Sequence, residues 1–146
     1  MMKVNLNDYE YDYGKDVSNP TAEENGRSFT LQNESKFLIK KWAIDKVVFK
    51  DRIDERCDYL ILIHKKTEKV YYWIELKGSD IVKACEQIMN TIKQVDAEIK
   101  VHEARIISSK TPIPALRDIT YAKLDNQMRK LGGCLKTYTN QGTERI

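Results

Sequence analysis

Residues 56–78 read RCDYLILIHKKTEKVYYWIELKG, two apolar runs separated by a short charged segment. Tyr59 to Ile63 is continuously apolar, as expected of a strand buried on both faces. Val70 to Leu76 is a second run, rich in aromatic and β-branched residues that suit a strand. The intervening Lys65-Lys66-Thr67-Glu68-Lys69 is polar and short, so the runs are expected to form a hairpin. A tight turn around Lys66-Thr67 sets Lys65 opposite Glu68, and counting back along both strands sets Asp58 opposite Glu75. Opposed residues share a face with Cβ atoms about 5 Å apart, which stands two carboxylates side by side at the strand ends. A slip of one residue would put them on opposite faces. Two-residue alternation places Lys77 on the face of Glu75, about 7 Å further along.

Working outward, Trp42 to Phe49 is β-branched and aromatic and ends at Lys50-Asp51-Arg52, which predicts a strand completing an antiparallel meander with the hairpin. Downstream, Gly78 breaks the strand and Ser79 or Asp80 is placed to cap a helix. Ile81, Val82, Cys85, Ile88, Met89, Ile92, Val95 and Ile99 then recur at helical spacing. Ala104 to Ser108 reads as a strand and Thr111-Pro112-Ile113-Pro114 as an extended linker. Tyr121 to Leu131 reads as a second helix closed by Gly132-Gly133, and Cys134 to Thr139 as a last strand. A helical crossover after a meander returns the next strand parallel to its neighbour. The expected fold class is therefore α/β: a mixed β-sheet of antiparallel three-strand meander, helix and parallel strand, flanked by helices. Tyr9 to Arg27 is acidic, Tyr-rich and without a period. This predicts residues 1–28 as an acidic N-terminal arm or cap on a domain spanning 29–146.

The chain has 146 residues, 41% of them hydrophobic, enough to bury the core of one domain. No apolar run approaches the roughly 18 residues of a membrane span, and no apolar leader opens the sequence. A cytoplasmic protein without membrane contact is expected. Cys57, Cys85 and Cys134 are odd in number and widely spaced, which suggests neither a disulfide framework nor a zinc site. His64 and His102 are isolated and carry no motif. Residues 1–25 hold two lysines against six acids, a local net of −4, so a chain of net +3 carries +7 elsewhere. That surplus is compatible with phosphate contacts from Lys36, Lys40, Lys41, Lys46, Arg117, Lys123, Arg129 and Lys130, and equally with a scattered solvated face. No Gly-rich phosphate loop or Ser/His/Asp arrangement offers a rival chemistry.

Paired carboxylates repel and are costly to desolvate unless a cation neutralises them, and hard oxygen ligands suit Mg²⁺ or Mn²⁺. A lysine beside such an ion can activate metal-bound water and counter charge growing on a phosphodiester under attack. Glu75 and Lys77 end an otherwise apolar run that should enter the interior, where an unpartnered charge is expensive. The plain alternative is a surface acid at Asp58 and an exposed Glu75–Lys77 ion pair.

Arg56-Cys57-Asp58-Tyr59-Leu60-Ile61, Tyr72-Trp73-Ile74-Glu75-Leu76-Lys77-Gly78 and Ala84-Cys85-Glu86-Gln87 together resemble the PD-(D/E)xK nuclease superfamily, the restriction-endonuclease-like fold, over roughly Trp42 to Ser108. The resemblance implies a small nuclease of bacterial or phage type that hydrolyses phosphodiester bonds with Mg²⁺ (or Mn²⁺). By position it assigns metal binding to Asp58, Glu75 and the carbonyl of Leu76, and assistance of the water to Lys77. Cys57 stands at the nominal proline. The family often adds a further acid, for which Glu34 and Asp45 are candidates. Gln87 resembles a helical Gln that several branches use near the metal. The implied partner is nucleic acid, DNA ahead of RNA, with a homodimer or partner protein supplying specificity. The competing expectation is a nucleic-acid-binding or protein-interaction module that keeps this fold without cleaving, such as an accessory protein of a defence or mobile-element system.

Overall fold

The computed structural model describes residues 3–14, 19–48, 56–76, 80–95, 101–109 and 118–146. Along the chain these form β1 (Asp12–Gly14), β2 (Thr21–Glu24), β3 (Arg27–Gln32), β4 (Leu38–Ala43), β5 (Tyr59–His64), β6 (Lys69–Leu76), α1 (Ile81–Gln94), β7 (Val101–Ser108), α2 (Ile119–Lys130), β8 (Leu135–Thr139) and β9 (Gln141–Arg145). The fold is α/β, with one six-stranded mixed sheet in the order β1-β4-β5-β6-β7-β8 and one three-stranded sheet in the order β2-β3-β9. In the larger sheet β4, β5 and β6 are antiparallel, whereas β7 runs parallel to β6 and β8 parallel to β7.

The hairpin takes the register counted from its turn. Tyr59 pairs with Ile74 and His64 with Lys69, and the Lys65 N–H donates to the Glu68 carbonyl at 2.9 Å to close it. Pleating then sorts side chains by parity. Leu60, Leu62, Tyr71 and Trp73 face α1 and α2, where they pack with Ile81, Cys85, Ile88, Leu124 and Met128. Ile61, Ile63, Val70, Tyr72, Ile74 and Leu76 face the smaller sheet and meet Ala22, Phe29 and Leu31. Coverage of both faces explains why the two runs are continuously apolar. Each large side chain buried there contributes about 1.5–3 kcal/mol.

The helices begin and end as local chemistry dictates. The Asp80 carboxylate accepts the Lys83 N–H at 2.9 Å, and Asp118 accepts that of Thr120 at 2.7 Å, each satisfying a first-turn donor. Gly132, at φ 86°, supplies the left-handed residue that terminates α2. Helix α1 stops at Gln94, short of the apolar repeat that predicts it to Ile99. Val95 turns extended and forms a bridge with Val4, and residues 96–100 lie outside the described set.

The first strand of the meander lies earlier than expected, at Leu38–Ala43 instead of Trp42–Phe49. Lys40 and Lys41 disguise it in sequence. In place, the Lys40 ammonium sits 5.1 Å from the Tyr11 ring and the Lys41 ammonium 5.7 Å from the Tyr59 ring, so apolar stems and aromatic faces absorb both charges. After Ala43 the chain makes a π-helical turn over Ile44–Val48 that buries Ile44 and Val48. The linker Thr111–Pro114, Arg117, Phe49 and Lys50-Asp51-Arg52 all lie outside the described residues.

The N-terminal residues expected as an arm contribute to both sheets. Strand β1 pairs with β4, Leu6 is buried under Trp42, whose indole N–H donates to the Leu6 carbonyl at 3.0 Å, and the β2–β3 hairpin places Ala22 in the second core. Helices thus cover one face of the main sheet, and the smaller sheet covers the other. The two sheets are joined by Arg105, which is 2% exposed. Its guanidinium grips Glu144 on β9 through two bonds of 2.6 and 3.0 Å and reaches the Ala104 and Cys134 carbonyls and Glu103. No helix among the described residues is long and apolar enough to cross a membrane.

Candidate active site

Beyond the last paired rung of the hairpin, Asp58 and Glu75 face each other and lace the strand ends together. The Asp58 N–H donates to Glu75 Oε1 at 3.0 Å, and the Leu76 N–H donates to Asp58 Oδ2 at 2.8 Å. Each carboxylate is thereby oriented by the backbone of the opposite strand. On the other side, the Ile44 N–H donates to the Asp58 carbonyl at 2.9 Å, which extends the β4–β5 pairing and brings the neighbouring Asp45 toward the same strand end.

Helix α1 braces this segment. Thr91 Oγ1 accepts the Cys57 N–H at 2.9 Å while its own hydroxyl donates to the Gln87 carbonyl at 2.7 Å. The buried Arg56 reaches Gln94 at 2.6 Å. Residues 56–58 are therefore held between strand and helix, and the Asp58 carboxylate inherits little freedom from its backbone.

The site is partly to fully buried and rich in negative charge. Glu75 is 2% exposed. Asp58 is half-buried, and burial raises its pKa above the usual carboxylate range; the Leu76 N–H opposes the shift, while the charges of Glu24 and Asp45 reinforce it. The Asp58 and Glu75 carboxyl groups lie within hydrogen-bonding reach of each other, so a proton can be shared between them. The Cys57 thiol is pushed well up by burial and then by Glu75. It stays protonated and is no nucleophile.

The structure brings Asp58, Glu75, Leu76 and Asp45 to one end of the hairpin. Lys77 lies outside the described residues. Gln87 is buried on α1 beside the same segment; its amide N–H reaches the Arg56 carbonyl at 3.5 Å, and its Oε1 has no hydrogen-bond partner among the described residues. Glu34 is not brought there. It precedes Leu38, which pairs with His64 at the far end of β4 and β5, and its partner is Arg145 at 3.4 Å.

One acid near the pair is absent from the sequence reading. Glu24, at the end of β2, pairs with Lys46, accepts the Tyr59 hydroxyl and contributes to the field at Asp58. It arrives through packing of the smaller sheet, and no local pattern around residue 24 announces it. Lys46 and Lys41, two of the expected phosphate contacts, are engaged with Glu24 and with Asp12 and the Thr21 carbonyl.

The donor set suits a hard divalent ion of Mg²⁺ type, which takes one or two carboxylates and keeps several waters. Each strand-end bond uses a single lone pair of a carboxylate that offers about four, so both groups retain donor capacity. No group of three or more His, Cys, Asp or Glu among the described residues is disposed to hold a metal, so the fit rests on the pair. The chain matches no protein-family model, and comparison with curated proteins and with solved structures found no match.

Proposed function

We propose that this chain is a metal-dependent nuclease of the PD-(D/E)xK type, hydrolysing phosphodiester bonds of DNA ahead of RNA. The observation that carries the reading is the Asp58–Glu75 pair, desolvated and held in register at the end of β5 and β6 by each other's strands. A protein has little reason to bury two adjacent carboxylates unless a cation relieves them. The succession of antiparallel meander, helix α1 and parallel strand β7 supports a restriction-endonuclease-like core.

In this reading Asp58 and Glu75 are the metal ligands, with the Leu76 carbonyl beside them. The Leu76 and Asp58 N–H groups keep both carboxylates aimed. The ion, when bound, supplies an acidified water and neutralises phosphate charge. Lys77 follows Glu75 by two residues and is the cation that orients the attacking water and offsets negative charge on the phosphodiester. Glu24, with its hold on Lys46 and Tyr59, bounds the site from the smaller sheet. In this reading cleavage is directed by substrate structure or ends, or by a second copy or partner protein.

A second reading has one observation behind it. Each carboxylate already accepts a strand N–H, so the pair serves equally as a clasp for the strand ends in a module that binds nucleic acid or protein without cutting. Incubating wild type, Lys77→Ala and Asp58→Asn with labelled single-stranded, duplex and branched DNA and with RNA separates the two. Cleavage that needs Mg²⁺ or Mn²⁺ and disappears in both variants is the expected result; no cleavage of any substrate with either metal favours the clasp.

A further inference from the structure

The β2–β3 hairpin of the smaller sheet closes through a two-residue turn. Glu24 pairs with Arg27, and Asn25 and Gly26 between them have φ of 51° and 78°, the left-handed pair that a hairpin turn of this length favours. A Cβ added to Gly26 would meet no atom within 4 Å, so the tip stands clear of its surroundings. Alternation fixes which way the residues next to the tip face. Ala22, Phe29 and Leu31 are buried against the larger sheet. Glu24 and Arg27 lie two residues nearer the tip than Ala22 and Phe29, so they project to the same side. The contacts of Glu24 with Lys46 and with the Tyr59 hydroxyl follow from that direction.

The tip lies at the carboxylate end of the molecule. The Ser28 N–H donates to the Asn140 carbonyl at 2.9 Å, and the Asn140 N–H to the Ser108 carbonyl at 2.8 Å. Ser108 follows Ile107, which is the partner of Leu76 on β6. Arg27 therefore stands at the same end of the sheets as Asp58, Glu75 and Leu76. It approaches from the smaller-sheet side, whereas Asp58 and Glu75 share the parity of Leu60 and Trp73 on the helix side.

The Arg27 guanidinium has unmet hydrogen-bonding capacity. Its Nε is buried without a hydrogen-bond partner, and no ion pair engages the side chain among the described residues. The acid opposite it is turned instead to Lys46 and Tyr59. A donor shut off from water and left without an acceptor is costly, and the planar fork of a guanidinium matches the oxygens of a phosphate. Asp58, Glu75, Glu24 and Asp45 together make this end of the molecule negative, so a polyanion approaching it needs a cation to offset the repulsion.

We propose that Arg27 binds a backbone phosphate of the nucleic acid strand, beside the phosphate presented to the carboxylate pair, and so fixes the strand across the ends of β5 and β6. The inference rests on the nuclease reading for its substrate, but the contact itself does not require that the strand be cut.

The test is fluorescence anisotropy of a labelled single-stranded oligonucleotide with the full chain, in Ca²⁺ in place of Mg²⁺, over a series of salt concentrations. Arg27→Met and Arg27→Gln are expected to weaken binding about tenfold. Loss of one phosphate contact should also lower the slope of log affinity against log salt by about 0.7. Lys66→Gln, in the hairpin turn at the opposite end, should bind as wild type does. Thermal melts check that each variant folds. Weaker binding at an unchanged slope would mark a structural role for Arg27 and overturn the proposal. So would unchanged binding in both Arg27 variants, an equal fall in Lys66→Gln, or no binding by wild type. Cleavage with Mg²⁺ is measured in parallel. If the Arg27 variants bind more weakly at a lower slope but wild type cuts nothing, the phosphate contact stands and the nuclease reading falls; if wild type cuts and the Arg27 variants cut with the same KM, the contact alone falls.

Discussion

Replacing Asp58 by Asn should stabilise the protein in chelator and at the same time remove its response to divalent metal. The substitution is isosteric, and its amide carbonyl can still accept the Leu76 N–H that Asp58 Oδ2 now accepts at 2.8 Å. Its NH₂ meets Glu75 as a donor instead of a second carboxylate. Two unit charges 4 Å apart interact by about 1 kcal/mol in water and about 4 kcal/mol at an effective dielectric of 20. Asp58 is half-buried, and burial together with the nearby charges of Glu24 and Asp45 disfavours its charged form, so the relief at pH 7 is expected near 2 kcal/mol, or about 4–8 °C in Tm for a chain of this size. The pKa of Asp58, raised first by burial and then by Glu24 and Asp45, fixes the sign of the pH dependence. Its folded form holds the proton more tightly than its unfolded form, so its favourable contribution is intact below the ordinary Asp range, near pH 4, and is lost as pH rises through the raised value. Thermal melts of wild type and variant should therefore converge at acid pH and separate toward pH 7. Added Mn²⁺ should raise the Tm of wild type and leave the variant unchanged. A variant less stable than wild type in chelator at pH 7 would refute the electrostatic reasoning and identify Asp58 as a structural clasp.

Three further outcomes are expected. Glu75→Gln, which keeps the acceptor for the Asp58 N–H, should lower metal-dependent cleavage by about a hundredfold or more while the fold persists in circular dichroism. Gln87→Met removes a buried carbonyl that has no partner among the described residues, and should stabilise the chain by about 1 kcal/mol in urea unfolding; a loss of stability there would show that Oε1 is satisfied. Glu144→Ala removes two charge-assisted bonds from the buried Arg105 guanidinium, which keeps Glu103 and two carbonyls, and should cost about 1.5–3 kcal/mol in the same assay. Burial alone would raise the Glu144 carboxyl, but the hydrogen bonds from Arg105 and Tyr138 outweigh it and hold the group below its usual range. Its contribution is present above the unfolded carboxylate range and lost as pH falls through the lowered value, so wild type and Glu144→Ala should converge in acid.

What the sequence made legible is what local physics controls. The polar turn between two apolar runs set the β5–β6 register, because a tight turn leaves one pairing that keeps both faces apolar, and that register is the one that opposes Asp58 and Glu75. Helix α1 was legible from its apolar spacing and Asp80 cap, α2 from its closing glycines. The smaller sheet was not. Strands β2, β3 and β9 are polar and bury alternate residues at most, and β9 joins β3 in parallel from the far end of the chain, so no local signal records the pairing. Glu24 was missed for the same reason, since it reaches the site through that sheet. Strand β4 was displaced because Lys40 and Lys41 read as solvent-facing, whereas aromatic rings accommodate both. The Arg105–Glu144 bond likewise joins residues 39 apart that no motif links.

A metal centre at the hairpin end requires Asp58 and Glu75 to exchange a shared proton for a divalent ion. Calorimetric titration of the chain with Mn²⁺ at pH 7, in two buffers of different ionisation enthalpy, measures binding and proton release together. The expected result is saturable binding to wild type, with proton release that differs in heat between buffers, and its loss in both Asp58→Asn and Glu75→Gln. Absence of binding to wild type, or binding that survives both substitutions, would contradict a metal centre at this pair.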